Sequence, residues 1–199
     1  MKLFYSATSP YVRKVMVCAM LRDIDQRIEK IPTNPHESPA ALIAENPLSK
    51  VPCLLTEDGF AVFDSPVICE YLDRVGDALP LFPQAGAARW VALRLQAVGD
   101  GILDAAVARR MESAKPLDAA RDAFMARQKQ AVDRALAMLE RESLGSLADI
   151  GAVSVACALG YLDFRFGAEN WRPDHPKLAD WFAPIAELPA MINTAPPPG

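Results

Sequence analysis

Hydrophobic and polar positions in the first 75 residues switch between the two-residue period of strands and the wider spacing of helices. Two apolar runs on either side of Glu57-Asp58-Gly59 predict a β-hairpin. In chain order the predicted elements are a strand over 2–6, a helix over 11–21, a strand over 26–31, a short helix near 39–45, a hairpin over 51–65 and a helix over 65–74. This alternation of strands and helices predicts an α/β domain.

The pattern changes after residue 76, and every strong signal from residue 87 onward is helical. The intervening stretch GDALPLFPQAGA contains four glycine or proline residues, which predicts a linker over 77–86. Helices are predicted over 89–113, 116–143, 147–166 and 175–191. Pro184 should break or kink the last of these helices, and the tail from Thr194 is expected to be disordered. The chain therefore divides into an α/β domain over 1–76 and an all-helical domain over 87–199.

The composition is that of a folded globular protein, since 51% of the residues are hydrophobic and 23% are charged. The net charge is −4 and no basic run occurs, which argues against a nucleic-acid partner. No stretch approaches the roughly eighteen uncharged apolar residues of a membrane span. The N-terminal apolar run is too short for a signal peptide. We therefore expect a cytoplasmic protein without a membrane partner.

The four cysteines of the chain are isolated from one another in sequence, and none of them forms a C-x-x-C pair. With only two histidines besides, the sequence predicts no metal site. In a cytoplasmic protein, isolated cysteines behave as small buried apolar side chains. We expect this of Cys18, Cys53, Cys69 and Cys157.

The first candidate for chemistry is the stretch TSPYVRKV, where a predicted strand ends and a helix begins. Ser9 lies at the helix N-terminus, where unpaired N–H groups and the positive end of the helix dipole favour an anion. Ser9 to Val12 has the form of a Cys-Pro-Tyr-Cys redox motif without its cysteines, so two-cysteine exchange is excluded at this loop. The serine either caps the helix alone or donates a hydrogen bond to a thiolate that a ligand brings.

Two further stretches place functional groups at the start of an element. In NPLSKVPCL, Val51 and Pro52 open a strand, which suits proline because it donates no ladder hydrogen bond. In DSPVICEYL, Ser65 is expected to be the N-cap of the next helix, with Asp64 before it. An acid beside a helix N-terminus suits the ammonium and carboxylate of an α-amino acid, and capping alone also accounts for the pair.

Together, SPYVRKV, NPLSKVPCL and DSPVICEYL resemble the glutathione S-transferase superfamily, and its bacterial, serine-type members in particular. The three stretches have the order and spacing of the family, and the resemblance covers nearly the whole chain. It implies a thioredoxin-like α/β N-terminal domain followed by an all-α C-terminal helical bundle. It also implies glutathione as co-substrate and a homodimer.

The resemblance implies roles for the residues around the predicted hairpin. The backbone of Val51, beside a cis Pro52, would pair with the cysteinyl part of glutathione. Asp64 and Ser65 would hold the γ-glutamyl end of glutathione. For the glycine end, Asn34 and Lys50 are looser candidates.

The resemblance also makes Ser9 the catalytic residue, because Ser9 matches the thiolate-stabilising serine of the serine-type classes. Other hydroxyls adjoin the loop, so the identity of the donor stays open. Thr8 ranks next after Ser9, with Tyr5 and Tyr11 behind.

Three further expectations concern the packing of the chain. In SLADI, Ser146 and Asp149 stand at the N-cap and N3 positions of a capping box, with a structural role. Arg13 and Lys14 are expected to face solvent. Asp100 lies within a helix, and in the family an acid near there can reach the partner subunit's glutathione amine.

The resulting hypothesis is a glutathione transferase that activates the glutathione thiol as a thiolate for attack on a small apolar electrophile. The electrophile would bind between the first domain and the helix over 89–113. Two alternatives stay open. One is a non-catalytic, partner-binding protein of the same fold, and the other is a different glutathione-dependent reaction, namely peroxide reduction, dehalogenation or isomerisation.

Overall fold

A four-stranded sheet with three helices forms the first part of the chain, in a computed structural model that describes residues 1–116 and 118–197. Strand order is β2-β1-β3-β4, with β1 parallel to β2 and antiparallel to β3, and with β3 antiparallel to β4. The strands are β1 (Lys2–Tyr5), β2 (Glu29–Pro32), β3 (Cys53–Leu55) and β4 (Ala61–Val62). The helices are α1 (Pro10–Leu21), α2 (Ala40–Glu45) and α3 (Ser65–Val75). Strand β2 begins later than predicted because Asp25–Arg27 forms a 3₁₀ turn.

The sheet topology brings several loops to one edge of the sheet. Because β1, β2 and β4 run in the same direction, their C-terminal ends lie at the edge where the antiparallel strand β3 begins. The loop before α1, the segment after β2, the start of β3 and the start of α3 all meet at this edge. Residues far apart in sequence are thereby placed around a common cleft.

The remaining helices form an all-helical unit built on a central apolar helix. They are α4 (Gly86–Glu112), α5 (Ala119–Leu139), α6 (Ile150–Phe166), α7 (Pro176–Ala186) and α8 (Pro189–Ile192). Every residue of α6 from Ile150 to Leu159 is buried, and α6 packs against α4, α1 and α7. The fold class predicted from the sequence, an α/β domain followed by a helical bundle, is confirmed.

Close packing of α4 on α6 depends on one of two neighbouring glycines. A Cβ placed on Gly99 would lie 2.6 Å from the carbonyl carbon of Ser154, whereas a Cβ on Gly101 would meet nothing within 4 Å. Gly99 therefore sets the distance between the two helices, and Gly101 has no such role.

By length and composition, the stretch Ile150–Glu169 is apolar enough to cross a membrane. About two thirds of its most apolar window is buried inside the protein. Its composition is accounted for by its place at the centre of the helical core.

The predicted capping box before α6 is wrong. The helix begins at Ile150, its N-cap is Asp149, and the Asp149 carboxylate accepts a hydrogen bond from the Ala152 N–H at 3.0 Å. Ser146 lies in the preceding turn, where its carbonyl accepts from the Ala148 N–H. Because Asp is itself a favoured N-cap residue, it starts the helix three residues later than the serine would.

The C-terminal end also differs from the prediction. Pro184 lies inside α7 without ending it. The helix instead ends at Ala186, and Pro189 starts α8 directly after Leu188. The expectation of disorder is wrong for residues 194–197, since the side chain of Thr194 bonds the Ala190 carbonyl and Pro196 is half-buried. Residues 198–199 lie outside the described residues.

Candidate functional site

Ser9 is the N-cap of α1, at the sheet edge where the loops converge. Its backbone is extended, and its Oγ accepts a long hydrogen bond of 3.3 Å from the Val12 N–H. Pro10 follows in the first turn, where the absence of an N–H costs nothing. The half-buried Ser9 hydroxyl therefore lies at the start of α1, where the positive end of the helix dipole suits an anionic ligand atom.

Val51 and Pro52 lie at the same edge, just before β3. The Val51–Pro52 peptide bond is cis, as the resemblance implies. Among the described residues, none hydrogen-bonds the backbone N–H or C=O of Val51. These groups are therefore available to an extended, peptide-like ligand.

The start of α3 differs in detail from the expectation for Ser65. Asp64 is the N-cap, and Ser65 is the first helical residue, with 2% of its surface exposed. The expected N-cap role of Ser65 is therefore wrong, because the chain enters helical geometry one residue earlier. The exposed Asp64 side chain makes no capping hydrogen bond, so its carboxylate is free for a ligand ammonium.

The two looser candidates, Asn34 and Lys50, are both exposed at this edge. The Asn34 side chain is already used, because its Oδ1 accepts from the His36 N–H and its Nδ2 donates to Glu37. Lys50 contributes its carbonyl to Asn46 and leaves its ammonium in solvent. Of the two, Lys50 is the freer to contact a ligand carboxylate.

Small cavities flank Ser9 on the side of α1 that faces β2, α6 and the C-terminal tail. The first is bounded by Tyr5, Arg13 and Lys30 together with tail residues 193–195. The second is bounded by Pro10, Arg13, Tyr161 and Pro196. Ser9 lines both, whereas Val51, Asp64 and Ser65 line neither. Both cavities are therefore separate from the groups at Val51, Asp64 and Ser65.

The alternative hydroxyls differ in availability. Tyr11 donates its hydroxyl to Asp104 Oδ1 at 2.5 Å, and burial together with this hydrogen bond raises its pKa far above the usual range. The Tyr11 hydroxyl is therefore already used in its hydrogen bond to Asp104. Thr8 is exposed at the mouth of the second cavity, and Tyr5 lines the first, beneath the Lys30 ammonium.

An ion pair that the sequence pattern did not predict joins the two halves of the chain. Lys14 is fully buried, and its Nζ lies 2.5 Å from Asp100 Oδ1. The expectation that Lys14 faces solvent is therefore wrong. Burial raises the pKa of Asp100, and the Lys14 charge opposes that rise. The clue in the sequence was Asp100 itself, an acid within the apolar pattern of its helix.

Arg13, expected at the solvent-facing surface, is half-buried instead. Its Nη2 donates to the Met191 carbonyl at 2.9 Å, and its Nε lies 3.5 Å from Thr194 Oγ1. Gly160 on α6 has no Cβ, which leaves room for the guanidinium against that helix. Arg13 therefore ties the start of α1 to the tail.

All four cysteines are buried, as predicted. Burial raises the pKa of Cys53 to about 11 and that of Cys157 to about 12. Such thiols stay protonated at neutral pH and are poor nucleophiles. Within the described part of the chain, no three His, Cys, Asp or Glu side chains are grouped to hold a metal ion.

Comparison with known proteins identifies two family domains in the chain. Residues 8–75 match the family described as glutathione S-transferase, N-terminal domain, and residues 118–183 match glutathione S-transferase, C-terminal domain. A protein of Escherichia coli (strain K12) described as "Uncharacterized GST-like protein YibF" is 33% identical over 203 residues, which cover 99% of each chain.

Two solved structures from Pseudomonas fluorescens Pf-5, both of a glutathione transferase family member, are similar over almost the full length. One, with bound glutathione, is 44% identical, covers 98% of each chain and superposes with a TM-score of 0.91. The other, with bound S-(propanoic acid)-glutathione, is 42% identical, with a TM-score of 0.86, and covers 99% of this chain and 100% of its own.

Proposed function

The chain belongs to the glutathione S-transferase family, and on this basis we propose that it is a glutathione transferase that joins glutathione to a small apolar electrophile. The observation that carries the proposal is the convergence of Ser9, the free Val51 backbone and the Asp64–Ser65 pair at one sheet edge. We further propose that it is a cytoplasmic homodimer with a role in detoxification.

In this proposal, residues 1–76 form the glutathione-binding domain, residues 77–86 the linker and residues 87–199 the helical domain. The Val51 backbone pairs with the cysteinyl part of glutathione. Asp64 binds its α-ammonium, and Ser65 with the N–H groups of α3 binds its α-carboxylate. Lys50 contacts the glycine end of glutathione, and Asn34 does so less directly. Support comes from the similar Pseudomonas fluorescens structure that contains glutathione.

The reaction needs the sulfur of glutathione as a thiolate. The thiol proton passes to solvent, while the Ser9 hydroxyl and the N-terminal dipole of α1 stabilise the negative sulfur. The thiolate then attacks the electrophilic carbon, the S–C bond forms, and the leaving group departs with its electron pair. In this proposal the electrophile binds between the first domain and α4, close enough to Ser9 for the thiolate to reach it.

The test is a calorimetric titration of the purified protein with reduced glutathione, followed by a panel of electrophiles and peroxides. We expect saturable binding at micromolar to low millimolar concentration and conjugation with at least one aryl or alkyl halide. Absence of glutathione binding would contradict the proposal and favour a partner-binding role. Binding with peroxide reduction, dehalogenation or isomerisation but no conjugation would contradict the transfer reaction alone.

A further inference from the structure

A hydrogen bond joins the first turn of α1 to the helical domain. Tyr11 is the second residue of α1, and its hydroxyl donates to Asp104 Oδ1 on α4 at 2.5 Å, across 93 residues of sequence. A hydrogen bond with an ionised acceptor is stronger than one between neutral groups. The start of α1 is therefore attached to α4 by a directional contact.

This hydrogen bond is the outer of two polar contacts between α1 and α4. One turn further into the protein, Lys14 Nζ lies 2.5 Å from Asp100 Oδ1. Residues three or four apart share one face of a helix, so the two contacts lie on the same pair of facing helix surfaces. Lys14 is fully buried, whereas Asp104 is exposed. The inner pair belongs to the packed interior, and the outer hydrogen bond lies at the end of α1 where Ser9 is found.

Ser9 is the N-cap of the turn that contains Tyr11. Its own capping hydrogen bond from the Val12 N–H is long, at 3.3 Å, and a bond of that length holds the hydroxyl only weakly. The position of the Ser9 hydroxyl therefore depends on the contacts that hold the rest of this turn.

A second contact holds the same turn from its other side. Arg13 Nη2 donates to the Met191 carbonyl at 2.9 Å. With 3.6 residues per turn, positions 11 and 13 lie about 200° apart around the helix axis, so the two contacts are on opposite faces of α1. Both acceptors belong to the helical domain. The helical domain thus holds the start of α1, and Ser9 with it, from two sides.

We propose that Asp104 is a positioning residue, which acts through Tyr11 to hold the Ser9 hydroxyl within hydrogen-bonding distance of the glutathione sulfur. This inference rests on the proposed glutathione transfer. Neither Asp104 nor Tyr11 touches the sulfur in this arrangement. A hydrogen bond weakens steeply as its geometry departs from linear, and a misplacement of about 1 Å can lower a rate severely.

The experiment measures how much of the bound glutathione is ionised. The ultraviolet absorbance of the thiolate is followed against pH in the complex with reduced glutathione. In Tyr11→Phe and Asp104→Ala, the pKa of the bound thiol should rise, so that the ratio of thiolate to thiol at neutral pH falls about tenfold. The dissociation constant of glutathione, measured by calorimetry, should change less than about twofold, because its other proposed contacts lie in the first domain.

Asp104→Asn separates the hydrogen bond from the charge. The amide keeps an oxygen acceptor for the Tyr11 hydroxyl and carries no charge, so the thiolate ratio should stay close to that of the unchanged protein. An effect of charge alone would have the opposite sign, because removing a nearby negative charge favours an anion. The charged residues that line the cavities beside Ser9, Arg13 and Lys30, are the same in all of these variants.

A double variant tests whether Tyr11 acts through Ser9. In a Ser9→Ala background, Tyr11→Phe should cause no further loss of thiolate, because the hydroxyl that it positions is already absent. Tyr71→Phe is the matched control, since Tyr71 is half-buried on α3 and its hydroxyl makes no hydrogen bond to any described residue. Thermal unfolding is recorded for every variant, and the exposed Asp104→Ala decides if Tyr11→Phe does not fold.

The outcomes separate this inference from the proposed function. An unchanged thiolate ratio in folded Tyr11→Phe and Asp104→Ala, or a loss that persists in the Ser9→Ala background, would overturn the inference and leave the proposed function standing. Failure of the unchanged protein to bind glutathione would instead overturn the proposed function. A fall in both variants that Asp104→Asn and Tyr71→Phe do not show, and that needs Ser9, would support the inference.

Discussion

A single hydroxyl at the start of α1 carries the proposed chemistry. Ser9→Ala should lower kcat about a hundredfold, the typical effect of removing one donor to a developing or resident negative charge. The affinity for glutathione should change little, because most of its proposed contacts lie at Val51, Asp64 and Ser65. Thr8→Ala is the matched control and should leave kcat nearly unchanged. Unchanged kcat in Ser9→Ala would move the role to Thr8 or Tyr5.

Ser65 is proposed to bind glutathione without contacting its sulfur. Ser65→Ala should weaken glutathione binding by about 1–3 kcal/mol, because a charge-assisted hydrogen bond to the ligand carboxylate is lost. Calorimetry with reduced glutathione measures the change. Ser146→Ala serves as a control, since Ser146 is exposed in the turn before α6 and far along the chain from this edge. Equal affinities in all three proteins would place the ligand elsewhere.

Helix packing provides a prediction at the scale of elements. Gly99→Ala should lower the free energy of unfolding by about 2 kcal/mol, because the new Cβ would overlap the Ser154 backbone and force α4 away from α6. Gly101→Ala, two residues further along the same helix, should raise it by up to about 1 kcal/mol through helix propensity. Urea denaturation of both variants tests the contrast, and equal effects would refute the packing role of Gly99.

The N-cap of α6 allows a second comparison between two matched variants. Asp149→Ala should cost about 1 kcal/mol of stability, since the Asp149 carboxylate satisfies the Ala152 N–H. Ser146→Ala should cost close to nothing. Thermal or urea unfolding distinguishes the two, and a larger loss in Ser146→Ala would restore the capping box that the sequence suggested.

The sequence was a good guide to the elements and a poorer one to the details that packing decides. The segments with a strong hydrophobic period, and the position of Pro52 just before β3, could be predicted because both depend on the conformational preferences of neighbouring residues. The start of α6 was misplaced because both Ser146 and Asp149 are good N-caps. In the folded protein, the missing Cβ of Gly151 allows the start of α6 to pack closely against Leu95 on α4. That contact is not visible in the local pattern.

At the scale of the whole molecule, the sequence could not show how the two halves are joined. Lys14 looked like one of two neighbouring surface cations, yet its partner lies 86 residues further along, on α4. Arg13 likewise finds its acceptors at Met191 and Thr194, near the end of the chain. The spacing of residues along the chain predicts neither contact, because both depend on how α1 packs against the helical unit.

The Lys14–Asp100 pair should therefore behave as a coupled unit that joins α1 to α4. Lys14→Met removes one charge and leaves Asp100 largely buried without its partner, which should cost about 3 kcal/mol of stability. The double variant Lys14→Met/Asp100→Leu removes both charges and should be more stable than Lys14→Met alone. Urea unfolding of the single and double variants, in a complete cycle with Asp100→Leu, gives the coupling energy. Additive effects would mean that the two charges act independently.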